Sequence, residues 1–84
     1  MNYTYILKSK KDSQLYLGST TDLRKRFKEH NDGKVFSTKY RKPFELVYYE
    51  AYKSKQDAQE RERKLKQRGQ SVRRLKERLK YSLV

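Results

Sequence analysis

With 84 residues, 23 Lys and Arg against 10 Asp and Glu, and a formal net charge of +13, the chain has the length of a single domain, residues 1–84, with a thin core. Charge that dense points to a polyanionic partner, and no apolar run approaches the roughly 20 residues that span a bilayer, so neither a membrane segment nor a secretory leader is expected. Without cysteine there is no disulfide, no thiolate nucleophile and no zinc–thiolate centre, which fits a cytoplasmic protein.

Hydrophobic residues make up 33% and charged residues 39%, close to the composition of disordered chains, but eight Tyr and three Phe supply large buriable area per residue. Tyr3 to Ser9 is aromatic and branched and reads as a strand, Lys10 to Ser13 as a polar turn, and Leu15 to Gly18 as a second strand that closes a hairpin. With an even-numbered turn, Tyr5 pairs with Tyr16 or Gly18, and either register puts Tyr5 and Tyr16 on one face. Ser19-Thr20-Thr21-Asp22 follows as a turn, and a helix runs from about Thr21 or Asp22 to about Asn31, with Gly33 just past its C-cap.

Lys34 to Pro43 has no period, carries Lys34, Lys39, Arg41 and Lys42, and reads as a loop over the site or against the partner. Phe44 to Tyr52 is the longest apolar-aromatic run and reads as the central or longest strand, with Glu45 and Glu50 turned to solvent or cations. Ser54, with Asp57 three residues on, caps a second helix that ends near Arg68 at Gly69. A third helix runs from about Ser71 to about Lys80 with a stripe of Val72, Leu75 and Leu79; Lys53 to Lys80 holds twelve basic and four acidic residues. The pattern predicts an α/β (α+β) fold, a small three-stranded, largely antiparallel sheet flanked by helices in the order β-β-α-β-α-α.

Two helix faces carry chemistry. Leu23, Arg26, Phe27 and His30 stand at i, i+3, i+4 and i+7, which sets a guanidinium and the only imidazole of the chain beside an inward apolar stripe. Ala58, Glu62 and Leu65 stand at i, i+4 and i+7, so a carboxylate occupies the middle of an inward stripe, while Glu60 falls off it. Burying an unpaired carboxylate is costly, so Glu62 is either ion-paired with Arg26 or a nearby lysine, or it binds a metal. Taken alone, Tyr5 and Tyr16 read as core aromatics, Arg26 as a solvated cation among Arg24, Lys25 and Lys28, and His30 as a structural polar group.

Tyr3-Thr4-Tyr5, Tyr16-Leu17-Gly18, Arg26 ten residues after Tyr16, His30, and the helix from Ala58 to Lys66 together resemble the GIY-YIG nuclease domain, in order and over nearly the whole chain. The likeness is to small stand-alone bacterial-type members and to the N-terminal nuclease domain of the excision-repair endonuclease. It implies a metal-dependent endonuclease that hydrolyses DNA, with RNA left open, like the family's enzymes of repair, recombination and homing. In that reading Glu62 holds Mg²⁺ or Mn²⁺, Tyr5 takes the proton of the attacking water directly or through a relay, and Tyr16 positions water or phosphate. Arg26 binds the scissile phosphate, and His30 supports proton transfer or phosphate binding. Ser19 at the strand–helix turn and Lys34, Lys39, Arg41 and Lys42 of the loop would bind nucleic acid. A tyrosine base, with an unperturbed pKa of about 10, needs a cation to lower it, which the basic background and the metal would supply.

The chain has no room for a separate recognition domain, so selectivity would be for structure rather than sequence, or would come from a partner protein. Tyr3 and Thr4 replace the glycine and isoleucine of the motif, and the asparagine that many members carry after the glutamate helix is missing, since Asn2 and Asn31 both come too early. A second class therefore stays open: a non-catalytic or weakly catalytic nucleic-acid-binding module on the same fold. The nuclease requires Tyr5, Tyr16, Arg26 and Glu62 to line one solvent-open concavity ringed by the basic loop and the C-terminal half. Glu62 and Tyr5 on opposite sides of the sheet would be incompatible with it.

Overall fold

The computed structural model describes residues 1–67 and 70–84, without the side chains of 70–72. Its elements are β1 (Asn2–Ser9), β2 (Leu15–Thr20), α1 (Leu23–Asn31), β3 (Phe44–Tyr52), α2 (Lys55–Lys66) and α3 (Gln70–Arg78), the order expected from the pattern. The expectations for Arg68, Gly69 and the side chains of Ser71 and Val72 lie outside the described residues.

The three strands are antiparallel in the spatial order β2-β1-β3. β3 is the longest strand, at nine residues, but it is an edge; the centre belongs to β1. The reason is burial on both faces: Thr4, Tyr5, Ile6 and Leu7 are consecutive and all buried, which only a strand covered above and below allows. On one face Tyr5, Leu7 and Phe44 pack with Tyr16, Leu46 and the Leu23–Phe27 stripe of α1. On the other, Ile6 packs with Leu65 of α2 and Leu75 of α3, with Leu15, Leu17, Val47, Tyr48 and Leu79 around them. The sheet is thus a single layer between α1 and the α2–α3 pair.

The caps are those the residue types call for. The Asp22 carboxylate accepts the Lys25 N–H at 3.1 Å, and Gly33 takes a φ of +74° just beyond α1, where a Cβ would be strained. The Ser54 hydroxyl accepts the Asp57 N–H at 3.4 Å at the start of α2. Asn31 clamps the end of α1 to the start of β3, its amide donating to the Phe44 carbonyl and its oxygen accepting the Phe44 N–H.

α2 is tied to the sheet by one polar hub. Glu50 on β3 receives Arg61 of α2 at 2.9 and 3.2 Å and the hydroxyls of Tyr48, at 2.6 Å, and Tyr52. Burial pushes the Glu50 carboxyl up, but its three donors outweigh that and hold it below the usual carboxylate range. Glu50 therefore faces a cation, as expected, and Glu45 is exposed. From the sheet side, the Thr4 hydroxyl donates to the Ala58 carbonyl at 2.6 Å, so α2 is held at both β1 and β3.

Candidate active site

The register sets the geometry. Tyr5 pairs with Gly18 on β2 and with Tyr49 on β3, so these three form one cross-strand row on the α1 face; Leu7 pairs with Tyr16 one step along. Tyr5 and Tyr16 therefore share a face, as the even-numbered turn predicts. The missing side chain of Gly18 lets the Tyr5 ring lie flat over β2: a Cβ there would stand 2.5 Å from the phenol oxygen and 2.6 Å from Cζ.

His30 comes down onto this row from α1. It is fully buried, 5.0 Å from the Tyr16 ring and 5.8 Å from the Tyr5 ring between centroids, and its Nε2 lies 2.9 Å from the Tyr5 phenol. Its Nδ1 lies 2.8 Å from the Thr38 hydroxyl, which also reaches the Val35 carbonyl at 3.5 Å. A carbonyl can only accept, so Thr38 donates to Val35 and accepts from Nδ1–H. This assigns the tautomer: Nε2 is bare, and the Tyr5 hydroxyl donates into it. Sequence reasoning missed Thr38, which lies eight residues after His30 in a loop without periodicity.

Burial pushes the His30 pKa down to about 4, with the Arg26 charge helping, so the ring is neutral at neutral pH. Burial also pushes the Tyr5 phenol up to about 12; the Arg26 guanidinium beside it counteracts, while Tyr16 and the Glu62 charge add to the rise. The expectation that the basic background lowers the Tyr5 pKa is thus corrected: desolvation outweighs the nearby cation. The His30 shift also has a stability consequence. The unfolded ring binds a proton near 6.5 and the folded one only near 4, so the unfolded state holds more protons between those values. Stability is expected to be fully present above about pH 6.5 and to fall by on the order of 2–3 kcal/mol on acidification to about pH 4. Urea unfolding midpoints across that window, flattened in His30→Gln, check it.

Arg26, half-buried on α1, flanks the Tyr5 phenol and pairs loosely with Glu29 at 3.4 Å. Burial works against its charge, but Tyr5 and Glu29 outweigh it, so it is a permanent cation at the rim. Tyr5, Tyr16, Arg26 and His30 are thus brought together by β1, β2 and α1.

Glu62 arrives from the other layer. α2 packs on the face opposite Tyr5, so the two elements do lie on opposite sides of the sheet. The carboxylate nevertheless comes to the edge strand: it accepts the Ser19 hydroxyl at 3.1 Å, one residue beyond Gly18, and its charge is felt at Tyr5. The expectation that the two share one face is therefore corrected: they stand on opposite faces of the sheet, linked only through the neighbouring positions Gly18 and Ser19 of β2. β2 is an edge strand, and Glu62 reaches it at Ser19 from the α2 side, while Tyr5 lies over the neighbouring Gly18 on the α1 side. A single open concavity is also corrected, because Tyr5 is 1% exposed, while the neighbouring Arg26 side chain is partly exposed. The second Glu62 oxygen pairs with Lys66 at 2.9 Å, an i,i+4 contact half open to solvent. Glu60 is exposed, as expected.

The basic loop is dispersed. Arg41 pairs with Asp12 at 3.0 Å at the hairpin turn, the end of β1 away from Ser19. Lys39 lies over the Phe36 and Tyr40 rings, and Lys34 and Lys42 gather at the C-terminal end of α1, where their charges help lower the Asp32 carboxyl, chiefly through Lys28. The loop therefore does not ring the site as a unit; its tie to the site is Thr38. Among the described residues no group of three or more His, Asp or Glu could hold a metal ion, so an ion at Glu62 would have one carboxylate and the adjoining Ser19 hydroxyl. Such a donor set fits Mg²⁺ or Mn²⁺, which keep waters and take phosphate oxygens from a substrate. No helix among the described residues is long and apolar enough to cross a membrane.

Comparison with known proteins gives a consistent picture. The family model described as the GIY-YIG catalytic domain matches residues 1–78. A UPF0213 protein of Clostridium perfringens is 51% identical over 63 residues, which cover 74% of this chain and 67% of that protein. One from Streptococcus pyogenes is 46% identical over 67 residues, 79% of this chain and 72% of the relative. The solution structure of a UPF0213 protein from Bacillus halodurans is similar at 43% identity and a TM-score of 0.54, over 94% of this chain and 82% of that one.

Proposed function

The chain belongs to the GIY-YIG catalytic domain family, and from that membership and the polar row on its α1 face we propose a metal-dependent endonuclease that hydrolyses DNA phosphodiester bonds, selecting structure rather than sequence. The observation that carries the reading is the Tyr5 phenol, with a bare buried imidazole nitrogen behind it and a guanidinium in front. Arg26 binds the scissile phosphate through its planar fork and steadies the charge that develops there. The attacking water gives its proton to the Tyr5 oxygen while the Tyr5 hydroxyl passes its own to His30 Nε2, so a phenol that is hard to ionise acts without becoming a free phenolate. Thr38 holds the imidazole in the receptive tautomer, and Tyr16 packs against both rings to fix their orientation. Glu62, with Ser19 beside it, would hold Mg²⁺ or Mn²⁺; when bound, the ion supplies Lewis-acid polarisation of the phosphate and a template for substrate. Lys66 is the group it would displace.

A cleavage assay on single-stranded, duplex, flap and branched DNA with Mg²⁺ or Mn²⁺ tests this. Glu62→Ala is expected to reduce cleavage to the level seen without metal; equal activity of wild type and variant would sink the mechanism. The Glu62–Lys66 pair favours one other reading, a binding module in which that carboxylate is only structural. Metal titration of the nucleic-acid complex separates the two, because both readings share a steep salt dependence.

A further inference from the structure

Tyr49 sits in the middle of β3 yet is 52% exposed. It pairs directly with Tyr5, which places it one strand from the proposed proton relay on the same face. Its ring meets Tyr3 edge-on, with centroids 6.0 Å apart and planes at 65°. Tyr3, Tyr49 and Leu46 floor a groove of about 490 Å³ whose wall is the first turns of α1, with Leu23, Phe27 and Arg24. Asp22, the acidic residue on the rim, is committed to capping α1.

We propose that this groove is the stacking subsite for one unstacked nucleobase next to the scissile phosphate. The subsite rests on the nuclease reading only for the place of that phosphate, at Arg26. Its shape and chemistry stand apart from it. An aromatic and aliphatic floor has nothing to offer a phosphate, whereas a base presents a π-face to a tyrosine whatever its sequence. The charge of +13 and the Arg24 rim favour a polyanion over an apolar peptide. Arg26 lies between Leu23 and Phe27 on α1, both of which line the groove, so a phosphate held at Arg26 leaves its neighbouring base within reach of the subsite. In an intact duplex the base faces are covered by their neighbours, so only a single-stranded, frayed or extruded nucleotide can enter.

Binding measured in EDTA keeps this apart from cleavage. Fluorescence anisotropy would compare a short oligothymidylate with an abasic oligomer of the same phosphate count. Tyr49→Ala is expected to weaken oligothymidylate binding about tenfold and leave abasic binding unchanged, with Tyr49→Trp binding at least as tightly as wild type. Tyr49→Leu, which keeps an apolar β3 residue, is expected to behave as Tyr49→Ala, so a folding defect in the alanine variant does not carry the result. Equal loss on both oligomers, or no loss on either, would overturn the subsite. A protein that never cuts but shows the base-dependent loss keeps the subsite and defeats the nuclease reading; one that cuts without that loss does the reverse.

Discussion

Tyr5→Phe is expected to slow phosphodiester cleavage by about 10³-fold, within the range for loss of a positioned acid–base group. The variant keeps the ring that packs among Leu7, Phe44 and Tyr16 and removes only the oxygen through which the water proton would reach His30. It also leaves the buried Nε2 without its donor, so a modest stability loss of about 1–2 kcal/mol should accompany it. Single-turnover rates and urea midpoints measured together separate the two effects. The wild-type pH–rate profile adds a sharper reading. With His30 near 4 as the proton acceptor, the rate is expected to be flat through neutrality. A free Tyr5 phenolate, with a pKa near 12, would give instead a tenfold rise per pH unit. Such a slope would overturn the relay.

Gly18→Ala tests the same site through the backbone. The new Cβ would stand 2.5 Å from the Tyr5 oxygen and 3.1 Å from its Cε1, and the ring is too tightly held to swing away freely. The strand or the ring must shift, at a cost of about 1–3 kcal/mol, and a displacement of that scale at a reacting group lowers the rate by about 10²-fold. Gly33→Ala is the control: its φ of +74° makes it destabilising as well, but the atoms nearest its added Cβ are those of the Lys42 side chain and not the Tyr5 ring. The Gly18 variant should lose far more activity per unit of lost stability. Similar activities in the two folded variants would show that the close approach over Gly18 is not needed.

The order of elements, both helix caps and the shared face of Tyr5 and Tyr16 were legible because each depends on residues close in sequence: a capping side chain, a glycine past a helix end, the parity of a turn. The identity of the central strand was not, since β3 is the more apolar run and only the helices laid on both sides of β1 put it at the centre. The sign of the Tyr5 shift was also hidden. Net charge suggests stabilised phenolate, but burial is decided by which helix covers the row. Thr38 was invisible for a similar reason: nothing in an aperiodic loop marks the one hydroxyl that will meet an imidazole. Glu62 was legible as an inward carboxylate, but not the face of the sheet it would reach, because periodicity reports a helix face and says nothing of which side of the sheet the helix will cover.

The split of the site across two layers makes competence a property of the assembled chain. The half on α1 rests on the hairpin, on β3 through Asn31–Phe44 and on Thr38 of the loop, whereas Glu62 depends on α2, which is fastened through Glu50–Arg61 and Thr4–Ala58. On the proposed function, a molecule in which α2 has come away retains Arg26 and much of the positive charge that would hold nucleic acid, but it has lost the carboxylate that would hold the metal. If the chain cuts as proposed, damage or incomplete maturation would yield a blank round, a molecule that grips its substrate and leaves it whole.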